Sequence, residues 1–111
     1  MKFLKKIYFG KNASEHSRRL IWKIRHGAGT IDVYVICLPS FSEDPLEIMN
    51  AAVLRQHYYR KFPPVIVGIA SGYNEAMEVV RDIMDDCVAA TGEYKLRNFL
   101  TERIKKDGGH I

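Results

Sequence analysis

Trp22 is the single tryptophan of the chain, and Arg18, Arg19, Arg25 and His26 stand three or four positions from it. On a helix those spacings place side chains beside one another, so the indole would be ringed by cations. Such a ring suits two kinds of chemistry. It can seat a base or other anionic ring by stacking while the arginines neutralise phosphate. It can also anchor a protein–protein contact, where aromatic side chains concentrate. A plainer arrangement covers the indole with the C-terminal segment or a second copy of the chain, the arginines stacking on it from within. The open arrangements require Trp22 to face water. Ala13, Ser17, Leu20, Ile21 and Ile24 form an apolar stripe, and at about 100° per residue Trp22 falls on the opposite side.

The second candidate is the turn Ala70-Ser71-Gly72-Tyr73-Asn74, which leads from a strand-like run into a helix-like one. Free N–H groups at Ser71, Gly72, Tyr73 and Asn74, together with the helix dipole, could hold an anion. Glu75, in the first helical turn, puts a negative charge where a phosphate would sit, so simple capping competes with ligand binding.

Other patterns carry less. A Gly-x-Ser-x-Gly elbow around Ser71 fails because Ile69 and Tyr73 stand at the glycine positions. Gly27-Ala28-Gly29 follows a helix and not a strand, and reads as a helix stop instead of a dinucleotide loop. His16, His26, His57 and His110 have no spacing that puts two on one helical face with a carboxylate, so no metal site is indicated. Glu43 and Asp44 fit a solvated turn. His57-Tyr58-Tyr59-Arg60 suits a short helix braced against a sheet. No acid, base and nucleophile converge, so the sequence points to no catalytic residue and no cofactor.

The elements that would position these residues follow from patterning. Phe3–Phe9 is aromatic and β-branched and ends at Gly10, as a strand does. Asn12 with Glu15 three positions on forms a capping box for a helix to about Arg25. Ile31–Leu38 reads as a strand buried on both faces. As one helix, Leu46–Arg60 scatters its apolar residues around the wheel. Leu46-Glu47-Ile48 as an edge strand returning from Leu38, then a short helix from about Ala52, fits better. Pro63-Pro64 leads into Val65–Ala70, the most strand-like segment. Tyr73 to about Ala90 is a long helix with Ala76, Met77, Val80, Ile83, Met84, Cys87 and Val88 on one face and acids on the other, stopped by Thr91-Gly92. Tyr94–Lys106 reads as a short terminal helix, and residues 107–111 as a fraying tail.

The order β-α-β-β-α-β-α, with a short C-terminal helix, predicts an α/β fold, or α+β, built on a four-stranded mixed sheet. A ferredoxin-like split arrangement is one way to draw it, with the last strand at an edge. A mostly parallel sheet with strand four inside is the alternative, because Val65–Ala70 looks two-sided.

At 111 residues, the chain suits one domain over residues 1–106. Apolar residues at 47% and charged residues at 27% exclude a disordered chain. No uncharged apolar run is long enough for a signal peptide or a membrane span, so the expected location is cytoplasmic, with no membrane partner. Cys37 and Cys87 sit in apolar segments and read as buried thiols. The net charge of +4 is polarised. Residues 1–26 hold eight Lys/Arg against Glu15 alone, whereas residues 75–86 hold Glu75, Glu78, Asp82, Asp85 and Asp86 against Arg81.

Phe9-Gly10-Lys11, Val67-Gly68-Ile69-Ala70-Ser71-Gly72-Tyr73-Asn74-Glu75-Ala76 and Thr91-Gly92 together resemble a family of small uncharacterised proteins of anaerobic Gram-positive bacteria. The resemblance covers most of the chain. It implies a bacterial cytoplasmic protein and carries over no catalytic residue, because that family has no assigned activity.

The expected function is a non-catalytic interaction module that binds a protein partner, or a second copy of itself, through the basic Trp22 helix. The opposite charges of the first and long helices favour self-association. Nucleic-acid binding through Lys5, Lys6, Lys11, Arg18, Arg19, Trp22, Lys23 and Arg25 is the second expectation. A small anionic-ligand binder or enzyme at the Ser71-Gly72 turn is the third.

Overall fold

The computed structural model describes residues 2–26, 32–38, 46–92 and 96–106. Four strands are found there: β1 Lys2–Phe9, β2 Val33–Leu38, β3 Glu47–Asn50 and β4 Val65–Ser71. They form one sheet in the order β1-β4-β2-β3. β1 and β4 run parallel, while the β2–β4 and β2–β3 pairs are antiparallel. The result is an α/β domain on a mixed sheet. Strand four lies inside, so the split arrangement with the last strand at an edge is not the one formed. Nor is the sheet mostly parallel, since only one of its three pairings is.

The burial of β4 explains its composition. Its segment Ile66–Ala70 is buried throughout, because strands flank it on both edges and helices cover both faces. One face carries the 3₁₀ turn Ala13–His16, the helix α1 (Ser17–His26) and the 3₁₀ segment Ala51–Arg55, packed over Phe3, Val33, Val35, Cys37, Ile66 and Ile69. The other carries α3 (Tyr73–Thr91) and α4 (Leu96–Lys106), packed over Leu4, Ile36, Leu38, Val67 and Ala70. A short helix, α2 (His57–Lys61), precedes Pro63-Pro64, and its Tyr59 packs against the α1-side core. Of the strand-plus-helix reading of Leu46–Arg60, the strand is found as β3, an edge strand antiparallel to β2, whereas the segment from about Ala52 is the 3₁₀ segment Ala51–Arg55 and the α-helix starts only at His57.

A bulge interrupts β4. Ile36 pairs with Gly68 and Cys37 with Ile66, which leaves Val67 as the extra residue. Val67 and Gly68 therefore both turn toward α3. A Cβ on Gly68 would come within 2.9 Å of Val79 and 3.1 Å of Ile36, so only glycine lets the helix approach this closely. α3 ends where Gly92 takes a left-handed conformation, φ 76°, and donates its N–H to the Val88 carbonyl at 2.8 Å.

Two details depart from the sequence expectation. The Asn12 side chain makes no cap hydrogen bond, and Ala13–His16 is a 3₁₀ turn and not the first turn of the α-helix. On α3, Met77 is exposed while Val79 and Glu75 are buried. The buried stripe of the helix runs through Glu75, Ala76, Val79, Ile83 and Cys87, with Val79 lying over Gly68. The frayed tail expected at 107–111, the Gly27-Ala28-Gly29 stop, Glu43, Asp44 and His110 lie outside the described residues.

Candidate functional site

α1 buries Leu20 and Ile24 against the sheet and presents Trp22 on the far side, where the indole is 56% exposed. This is the orientation that the spacing predicts. Arg18, Arg19, Arg25 and His26 are also exposed, and the first turn of the helix holds no acid. The cations do not all serve the indole. His26 stacks on it with ring centroids 4.4 Å apart, planes inclined by 22°, and its Nδ1 lies 2.8 Å from the Trp22 carbonyl oxygen. The Arg25 guanidinium instead lies 5.0 Å from the centre of the Phe3 ring. Trp22 and His26 thus form an outward-facing aromatic pair on a helix that carries positive charge toward its C-terminal end. That placement suits the dipole of the helix.

The Ser71-Gly72 turn is organised differently from the open anion cradle. β1 and β4 are parallel neighbours, and the helices that follow them pack on opposite faces of the sheet. In open α/β sheets the crevice beyond such a strand pair is where ligands bind. Here the crevice is filled from within. The Glu75 carboxylate accepts the N–H of Asn12 at 2.6 Å, of Ala13 at 3.3 Å and of Ser71 at 2.5 Å. It is 8% exposed. Gly10 makes room for it: a Cβ there would lie 2.3 Å from the carboxylate.

Glu75 therefore caps the 3₁₀ turn that Asn12 leaves uncapped, and it does so from 62 or 63 residues away. Of the expected anion-site residues, Ser71 has given its N–H to Glu75, and Gly72 has given its N–H to the Asp32 carbonyl at 2.9 Å. Tyr73 packs edge-on against Tyr34, with centroids 5.8 Å apart, and Asn74 is exposed.

Sequence reasoning missed a third polar group. Tyr8 on β1 donates its hydroxyl to Asp86 of α3 at 2.6 Å and accepts from Arg103 of α4 at 2.5 Å, with the guanidinium 5.1 Å from the ring centre. Burial, followed by the hydrogen bond to Asp86, pushes the Tyr8 phenol up to about 12. A phenol held protonated that firmly is a poor base at neutral pH, and this triad ties three elements together. Its members are 78 and 95 residues apart from Tyr8, so no local pattern announces it.

Cys37 and Cys87 are fully buried cysteines on opposite faces of the sheet. Burial pushes the Cys37 thiol up, away from the reactive thiolate form. Among the described residues, no group of three or more His, Cys, Asp or Glu is placed to hold a metal ion. No helix among them is long and apolar enough to cross a membrane.

Against known proteins, the chain matches no family model, no curated protein and no solved structure.

Proposed function

We propose that this domain is a non-catalytic interaction module whose α1 face docks on an acidic protein surface, with Trp22 as the anchor. The observation that carries the reading is the 56% exposure of a tryptophan on an otherwise amphipathic helix flanked by arginines. Exposed aromatic and arginine side chains supply most of the energy in protein contacts, and the surrounding charges select the partner by sign. The state of the other candidate supports the same choice. With Glu75 seated in the strand-end crevice, the Ser71 turn has no vacant cradle for a small anion.

The test is a titration of the full chain with a glutamate–tyrosine copolymer, followed through Trp22 emission, in parallel with a single-stranded oligonucleotide of matched charge. The reading expects the copolymer to shift the emission and to bind more tightly, with affinity falling as salt rises, and expects Trp22→Ala to abolish tight binding. Tighter binding of the oligonucleotide would overturn it in favour of nucleic acid. So would silence of Trp22 toward both.

A further inference from the structure

α1 and α3 lie on opposite faces of the sheet, and their outer surfaces are complementary. Arg18, Trp22 and Arg25 recur at i, i+4 and i+7 on the exposed side of α1. Glu78, Asp82 and Asp85 recur at the same spacing on the exposed side of α3, so each triplet covers about 10 Å of helix. Beside the acids, Met77 is 50% exposed and Tyr73 55%. Two arginines flanking Trp22 thus share one spacing with three acids, and Met77 and Tyr73 lie beside the acids. Methionine sulfur against an aromatic ring is a favourable contact, which gives Trp22 a specific counterpart.

We infer that the acidic surface α1 fits is α3 of a second copy of this chain, with Trp22 seated against Met77 and Tyr73 and its arginines opposite Glu78, Asp82 and Asp85. This rests on the docking role of α1 proposed above and names its partner. Because the two surfaces are different and face opposite ways, the contact is head-to-tail. A closed two-fold dimer would need the same patch on both copies, whereas a head-to-tail contact leaves one free surface of each kind and propagates into a ring or a chain of copies. Arg81 stands on the same exposed side of α3, four residues from both Met77 and Asp85, and its positive charge within the acidic surface disfavours any register that sets an α1 arginine against it.

Sedimentation of the full chain and of two exposed-site variants tests this. At low salt, the wild-type average mass should rise beyond two copies with concentration and fall toward one copy in about 0.5 M salt, where screening is nearly complete. Trp22→Glu blocks one surface and Met77→Lys the other, so each variant alone should stay at one copy. Their equimolar mixture should reach about twice the single-chain mass and stop, because its only intact surfaces make one contact. Circular dichroism matching the wild type verifies that both variants fold. If either folded variant self-associates, the contact is not between these two faces. A wild-type chain that stays single at all concentrations, or a mixture that does not pair, also overturns the inference. Failure here with the copolymer still shifting Trp22 emission leaves α1 as a docking face for another acidic protein, and failure of both removes that reading too.

Discussion

Glu75 holds three main-chain N–H groups, two from the turn after β1 and one from the end of β4, so one carboxylate sets the relative position of the β1 and β4 ends. Glu75→Gln keeps the shape but turns an amide N–H₂ toward N–H donors, and the bonds it keeps lose their charge. The variant should lose about 2–3 kcal/mol of unfolding free energy in denaturant titration. Gly10→Ala drives a methyl into the same carboxylate and should lose a comparable amount, about 1–3 kcal/mol. The two losses should be strongly non-additive, because both act on one contact. Tyr8 gives a prediction in pH. Its phenol ionises near 12 in the folded chain against an ordinary 10.0, so its contribution is complete below pH 10 and fades as pH climbs toward 12. The stability gap between wild type and Tyr8→Phe should be constant at neutral pH and narrow over that alkaline window.

At the scale of elements, the β4 bulge decides how α3 lies on the sheet. Gly68→Ala should cost about 1–3 kcal/mol, since the methyl meets Val79 and Ile36. Cys37 and Cys87 report on the two helical layers separately, one thiol beneath each. With a neutral-pH thiol reagent, both should react only as the chain unfolds and at one shared rate. Faster reaction at one thiol would mean that its layer lifts alone. Much of this architecture is legible in the sequence. β4 and β2 announce themselves as apolar β-branched runs, β3 by its alternation and α3 by its period. Strand order is not, because parallel pairing of β1 with β4 is decided by contacts more than fifty residues apart. The Asn12 capping box is locally well formed but loses to Glu75, whose carboxylate reaches the same N–H groups from another element. Exposure of Trp22 follows from helical geometry alone. The exposure of Met77 is not legible, because it shares an apolar arc with Ala76 and Val80 and only the packing of α3 on the sheet separates them.

At the scale of the whole molecule, charge is divided by the sheet: arginines on the outside of α1, carboxylates on the outside of α3. Docking through such faces, as proposed, should weaken as ionic strength rises. Trp22→Ala should leave the unfolding free energy within about 0.5 kcal/mol of wild type, since the exposed indole contributes little to the core. The central claim is that Trp22 is solvent-facing in the lone chain and covered on docking, and acrylamide quenching of this single indole measures it directly. In the dilute chain at high salt, quenching should be that of an indole open on one face and stacked by His26 on the other, and saturating glutamate–tyrosine copolymer at low salt should reduce it severalfold. An indole already shielded in the dilute chain, or one still fully quenched at saturation, would contradict the claim.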